Sequence, residues 1–443
     1  MPTTYRPYDP DQLLLLPASL KEWLPEDHLA WFVSDAVDAL DLKAFHARYE
    51  GDGRRRQPYD PSMMVKVLVY AYASGVFSSR RIARSLEQDV AFRVLGADNF
   101  PAHRTIREFR QLHLSEFSAL FVQVVQLARE AGLVKLGRIG IDGTKVKANA
   151  SKRKAMSYGR MGEREAQLKA EIEALSRQAE QQDAAEDREH GPDRRGDELP
   201  QELARRERRL EAIQAAKARL EERQREQDRQ DGRQQDDEGN TRGPGGRLCQ
   251  RAFGQPEAGA QDNFTDPQSR IMKTGNGFEQ CYNAQAAVDE SGLIVATEVI
   301  DAGNDGHHLV AMVAATKKNT GALPQMSLAD SGYASEVNFA ALEALGAVAC
   351  VALGREAGKK PRKIDPDRHP ATQRMADRMA TDEGQAHYRR RKVIPEPVFG
   401  WIKQAMGFRQ FSVRGLVRVN GEWNLVCLAS NLRRMHRLGW VAA

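Results

Sequence analysis

From residue 159 to residue 252 the chain has no phenylalanine, tyrosine or tryptophan. That absence constrains the fold more than any other feature, because a stretch without large apolar side chains cannot bury a globular core of its own. Residues 161–240 hold 23 acidic and 16 basic side chains and carry a net −7. The few apolar residues recur at helical spacing, with Leu168, Ile172 and Leu175 on one segment and Leu203, Leu210, Ile213 and Leu220 on another. Between the two lies Gly191-Pro192-Asp193-Arg194-Arg195-Gly196, a strong breaker. The pattern predicts a charged helical hairpin with loops over 161–262, inserted into another domain. Its tip and the Gln/Asp/Arg-rich end near 224–240 are expected to be disordered.

The chain of 443 residues carries +5 overall, so the 363 residues outside that segment carry +12. Such a balance suits a protein that meets a polyanion. No apolar run approaches the ~18 residues of a membrane span, and the N-terminus shows no secretory pattern. Cys249, Cys281, Cys350 and Cys427 lie far apart without a Cys-x-x-Cys pair. This argues against a zinc finger or a disulfide framework and for reduced thiols in the cytoplasm. No Gly-x-x-x-x-Gly-Lys-Ser/Thr is present, which disfavours a phosphate-binding loop of that kind.

Residues 1–130 read as an all-helical domain that binds DNA. Asp60-Pro61 places a cap acceptor and a first-turn proline before the apolar run Met63–Tyr70. Ser78–Leu86 and Pro101–Arg110, separated by a turn near Gly96–Asn99, suggest a helix-turn-helix-like unit. Arg104, Arg107 and Gln111 share one helical face suited to phosphate or base contacts, with Ile106 and Phe109 toward the core; Arg110 completes the arginine cluster. A solvated basic face explains the same pattern.

From Gly137 the pattern alternates. Residues 138–142 read as a strand, and Thr144-Lys145-Val146-Lys147 as its return after Gly143. Tyr282–Asp289 and Leu293–Ile300 form a hairpin by length and turn chemistry. A helix from about His307 to Lys318, a strand Gln325–Asp330, a helix near 335–345 and a strand 347–352 follow. The order β-β-β-α-β-α-β before a helical C-terminal section is that of an α/β, ribonuclease H-like mixed sheet, by analogy of element order. Its first part is expected at 131–160 and its remainder at 263–443, with the helical hairpin inserted between.

Phosphoryl transfer on nucleic acid uses two divalent metal ions roughly 3.5–4 Å apart. Magnesium prefers carboxylate oxygens, so rigid elements must bring several acids together. Asp142 ends the first strand, Asp330 ends a later one, and Glu396 opens an amphipathic segment in which Lys403 lies seven residues on. If that segment is one helix, Glu396 and Lys403 share a face, and the lysine can hold a phosphate. Taken singly, each acid reads equally well as a turn or surface residue, and Asp289, Asp301 and Asp305 compete for the same role.

Five ordered motifs then carry a resemblance. Ile141-Asp142-Gly143-Thr144-Lys145, Thr265–Arg270, Tyr282-Asn283-Ala284-Gln285, Ala329-Asp330-Ser331-Gly332-Tyr333 and Glu396–Lys403 resemble the DDE transposases of bacterial insertion sequences. Gly407–Phe411 and Cys427–Leu432 match as well, and the likeness covers nearly the whole chain. It implies that Asp142, Asp330 and Glu396 bind Mg²⁺ or Mn²⁺, two ions, as the catalytic triad, and that Lys403 contacts DNA. The family's tyrosine and arginine before the glutamate have Tyr388 and Arg391 as candidates, although the strict spacing of related groups selects Arg389 and Lys392. Pro395 stands where an aliphatic residue is usual, and Ser430 where histidine often stands. The implied activity is metal-dependent cleavage at the inverted-repeat ends of a mobile element. Strand transfer of the 3′-hydroxyl into double-stranded target DNA follows, by a homodimer acting at the bacterial nucleoid. The alternatives are a catalytically silent, transposase-derived DNA-binding repressor and a structure-specific nuclease.

Overall fold

The computed structural model describes residues 20–49, 58–190, 201–233, 250–303, 305–306, 308–354 and 364–441. The chain opens with helices α1 (Leu29–Asp38), α2 (Lys43–Ala47) and α3 (Pro61–Ala73), then α4 (Ser79–Gln88), α5 (Val90–Leu95), α6 (His103–Leu112) and α7 (Leu114–Glu130). As the sequence predicts, the Asp60 carboxylate accepts a hydrogen bond from the Met63 amide, and Pro61 occupies the first turn of α3, where its missing N–H costs nothing. Ten of the thirteen residues of α3 are buried, which makes it the centre of the helical layer. Helices α4 and α6 pack on each other. Ile82, Leu86, Ile106 and Phe109 face inward, while Arg80, Arg81 and Arg84 face solvent.

Strand β1 (Arg138–Lys147) leads to β2 (Ala155–Ser157) and the long helices α8 (Tyr158–His190) and α9 (Gln201–Gln230). Strand β3 (Gln261–Asn263) then pairs antiparallel with β2 and closes the insertion. The chain leaves and re-enters side by side, since the Tyr158 amide donates to the Ala260 carbonyl at 2.8 Å. Met161, Leu168, Ile213, Ala216 and Leu220 form a small core of their own between α8 and α9, apart from the main one. The hairpin therefore forms as its apolar spacing predicts. Residues 224–230, expected to be disordered, instead belong to α9, where the Asp228 carboxylate accepts from Arg251 and from the Gly254 amide. The breaker at 191–196 and residues 234–240 lie outside the described residues.

Strands β4 (Arg270–Thr274), β5 (Gly277–Asp289) and β6 (Ile294–Ile300), helix α10 (Leu309–Thr320), strand β7 (Met326–Ala329), helix α11 (Glu336–Ala344) and strand β8 (Ala349–Val351) complete the sheet. Its order is β4-β5-β1-β7-β8, with β6 also on β5. β5 runs antiparallel to β1, β4 and β6, and β7 and β8 run parallel to β1. Gly143 does not turn the chain back, as the sequence suggested. β1 runs straight through it, with Gly143 opposite Gln285 on β5. A Cβ there would fall on the Gln285 amide and lie 2.6 Å from Asn283 Oδ1. The glycine is present for close approach, not for a turn.

Helices α12 (Pro370–Ala380), α13 (Asp382–Arg389), α14 (Pro395–Gly400) and α15 (Leu416–Arg437) follow, with a π-helical turn, Trp401–Ala405, continuing α14. α12 and α13 cover β8, α14 lies on β1 and β5, and α15 packs on α3, α7 and β6. One continuous core thus runs from α1 to α15 through the sheet. Trp423 is wholly buried and donates its indole N–H to the Gln285 carbonyl at 3.0 Å. Among the described residues no helix is long and apolar enough to cross a membrane.

Candidate active site

The parallel pairing of β1 with β7 sets Gly140 opposite Leu328. Two residues on, Asp142 lies within β1 and Asp330 directly follows the end of β7, close enough for the two charges to act on each other. Asp142 Oδ1 accepts from the Gly143 amide at 2.8 Å, and Asp330 Oδ1 from the Gly332 amide at 2.8 Å. Each carboxylate keeps its second oxygen outside those bonds. Burial, with the negative charges of Asp330 and Asp305 nearby, pushes the Asp142 carboxyl up to about 6, against the opposing pull of the Gly143 amide and Arg391.

Of the three competing acids, only Asp305 joins this pair. Its Oδ1 accepts from the amides of Asn283 at 2.6 Å and Gln285 at 2.5 Å, while Oδ2 faces Gly332 beside Asp330. The Tyr333 hydroxyl donates to Gln285 Oε1, and its ionisation is pushed far up by burial and by Asp305, Asp142 and Asp330. Asp289 instead accepts from the amides of Lys135, Ser291 and Leu293 in the β5–β6 turn, and Asp301 pairs with Arg270. Sequence reasoning did not assign Asn283 or Gln285 a role, but a signal was present. Two amide side chains at alternate positions of a strand buried from Gln280 onward must hold something polar.

Glu396 projects from the exposed side of α14, whose first residue, Pro395, rests on Gly140 of β1. The π-helical turn alters the register between Glu396 and Lys403, so the seven-residue spacing is not two plain α-helical turns. Lys403 Nζ donates to the Lys145 carbonyl on β1 at 2.9 Å. Lys145 Nζ donates to the Gly303 carbonyl at 3.1 Å, and burial lowers the pKa of both lysines. Arg391 is buried, with its guanidinium 5.9 Å from the centre of the Tyr388 ring, and its charge acts on Asp142. Arg389 and Lys392 are exposed. Ser430 is buried in α15.

On α6, Arg104 and Arg107 stand in solvent as expected, with Arg107 3.7 Å from Glu108. Arg110 does not. It is 4 % exposed and donates to the Tyr72 hydroxyl at 3.1 Å and the Phe77 carbonyl at 2.7 Å, beside buried Glu422. Six residues from Arg104, it falls on the inner face with Ile106 and Phe109, so it serves the fold and does not share the exposed face expected for it.

Asp142 and Asp330 offer carboxylate oxygens only as donors, with Asp305 nearby. That chemistry suits a hard divalent cation such as magnesium. Among the described residues no group of three or more His, Cys, Asp or Glu side chains stands close enough together to hold an ion, so neither Asp305 nor Glu396 completes a set of three with the two aspartates.

A family model described as "Transposase domain (DUF772)" matches residues 18–112, and one described as "Transposase DDE domain" matches residues 349–436. The chain is thus similar to a transposase N-terminal domain in its first quarter and to a transposase DDE domain near its C-terminal end. The first match takes in the arginines of α4 and α6, and the second takes in Glu396 and Lys403. Asp142 and Asp330 fall outside both, so their pairing rests on the geometry above. No match is found among curated proteins or among solved structures.

Proposed function

We propose that this transposase cuts DNA at the ends of its element in a metal-dependent reaction and joins the freed 3′-hydroxyl to target DNA. The observation that carries the reading is the approach of Asp142, on β1, to Asp330, 188 positions on in sequence and directly after the parallel strand β7. The central strand order and directions, with β6, β5 and β1 antiparallel and β7 and β8 parallel to β1, support a ribonuclease H-like catalytic domain. Helices α1–α7 serve as the DNA-binding unit, with Arg104 and Arg107 as its exposed contacts.

Asp142 and Asp330 would hold Mg²⁺ or Mn²⁺, and Glu396, which stands apart from them here, would complete the set only on moving toward them. When bound, two such ions acidify an attacking water and neutralise charge on the phosphoryl oxygens. Asn283 and Gln285 fix Asp305 beside the aspartates, so negative charge stays concentrated where cations are needed. Arg391 offsets part of that charge from the side of α13. Lys145 and Lys403, half-buried and side by side on β1 and the α14 extension, hold the phosphate next to the scissile one in place. Engaging both ends of an element calls for two copies of the chain.

The test incubates the protein with labelled duplex from the element's own ends and Mg²⁺ or Mn²⁺. End-specific nicking is expected, with at least a thousandfold loss in Asp142→Ala, and cutting that persists in the variant overturns the assignment. A second reading, DNA binding without cleavage, is favoured by one observation, the exposed position of Glu396 apart from the two aspartates. Tight end binding with no nicking by the wild-type protein would establish it.

A further inference from the structure

On the flank of α14 a cavity of about 340 Å³ opens between that helix, the β5–β6 turn and the C-terminal half of α15. Cavities that enclose small organic ligands run about 300–1,000 Å³. The transposase reading uses none of its residues. Its walls divide by chemistry. Ile394, Pro397 and Val398 form an apolar side. Arg433 and Arg437, whose guanidinium carbons lie 5.1 Å and 4.2 Å from the centre of the Trp401 ring, line the cavity as well, with Arg390 and Arg434.

Four arginines line the cavity against two acids, so the positive charge is only partly offset from within. Arg433 and Arg434 donate to the backbone carbonyls of Ala73 and Ser291, which satisfies hydrogen bonds but supplies no negative charge. Among the described residues neither Arg433 nor Arg437 has a carboxylate partner. The two acids in the wall are committed elsewhere: Asp289 caps the β5–β6 turn, and Glu290 pairs with Arg138 at 2.8 Å. Burial and the neighbouring charge of Arg437 lower the pKa of Arg433, which is the mark of guanidinium groups crowded without an anion between them. Guanidinium pairs recognise phosphate oxygens, and an aliphatic wall accepts the face of a planar base.

We propose that this cavity binds a nucleotide bearing a terminal phosphate, with the phosphate held by Arg433 and Arg437 and the base against Ile394, Pro397 and Val398. A free mononucleotide and the 5′-phosphorylated end of a DNA strand share that chemistry. Because Pro397 and Val398 belong to α14 and Ile394 caps its start, occupancy steadies the helix that carries Glu396.

Isothermal titration with dAMP, inorganic phosphate and deoxyadenosine tests the site without any cleavage reaction. The wild-type protein is expected to bind dAMP saturably, phosphate at least tenfold more weakly, and deoxyadenosine not at all. Arg437→Ala is expected to weaken dAMP at least tenfold, and Arg433→Ala/Arg437→Ala to abolish it. Circular dichroism confirms that each variant is folded, and Arg437→Lys, which keeps the charge, should retain part of the affinity. Competition by a short duplex with a 5′-phosphate but not by its 5′-hydroxyl counterpart assigns the site to strand ends. Failure of both duplexes to compete assigns it to free nucleotide. Absence of saturable dAMP binding, or binding unchanged in the double variant, overturns the proposal. Loss of dAMP binding in Asp142→Asn also overturns it, because the ligand would then sit at the aspartates. Since none of these readouts needs DNA cleavage, a nucleotide site can stand or fall independently of the proposed reaction.

Discussion

At the scale of single residues, the chemistry of the aspartates shows as a penalty on folding. Asp142 ionises in the folded chain at about 6, above the ordinary range of an aspartate. A carboxyl whose folded pKa is raised binds more protons folded than unfolded, so between about 4 and 6 stability falls as pH rises, and the full cost is present above 6. In metal-free buffer at pH 7.5, Asp142→Asn should therefore stabilise the protein by about 1–3 kcal/mol, with no gain at pH 4. Urea melts at the two pH values check this, and a gain of equal size at both would contradict it. The same scale explains the misassignment of Arg110. Sequence shows an arginine in a basic helix, but only the packing of α6 against α3 reveals which arginine points inward to Tyr72.

At the scale of elements, the site depends on how closely α14 approaches the sheet. Pro395 reaches β1 only because position 140 is glycine: a Cβ there would lie 2.6 Å from the proline Cδ and 3.2 Å from Ile394 Cβ. Gly140→Ala is expected to push the start of α14 outward and cost about 1–3 kcal/mol through overpacking. It should also lower end cleavage more than DNA binding, because Glu396 moves while the α6 arginines do not. Gel-shift and cleavage assays on the same preparation separate the two effects. Equal loss in both would place the damage in the fold as a whole. Pro395 departs from the aliphatic residue the resemblance led one to expect, and its place in the first turn of α14, where no donor is needed, shows why the helix tolerates it.

At the scale of the whole molecule, two cores of unequal size are joined at one point. The hairpin of α8 and α9 holds its own apolar residues and meets the rest of the protein at the β2–β3 pair. Replacing residues 160–258 by a short glycine-serine turn should leave the main core folded, with cooperative unfolding and a thermal midpoint within a few degrees of the full chain. An insoluble or molten product would show that the hairpin supports the sheet. The main core cannot be divided so simply. α15 packs at once on α3, α7 and β6, and Glu422 within it accepts from Tyr72 of the helical layer and from Ser412, so the N-terminal helices and the sheet share one interior.

The sequence alone determined the local features: the capped start of α3 at Asp60-Pro61, the inserted hairpin with its helical spacing, the strand-helix alternation from Gly137 onward, and Asp142 and Asp330 as candidates. Each of these is written in neighbouring residues, through periodicity and turn chemistry. Tertiary structure decided what depends on distant partners. It ran β1 straight through Gly143, because whether a glycine turns or permits close approach depends on Gln285, 142 positions away. It chose Asp305 over Asp289 and Asp301, because only the β5 amides of Asn283 and Gln285 tell these acids apart. It also turned Arg110 inward and left Glu396 outward. A helical period fixes which residues share a face, but only the packing of that helix decides which face is covered.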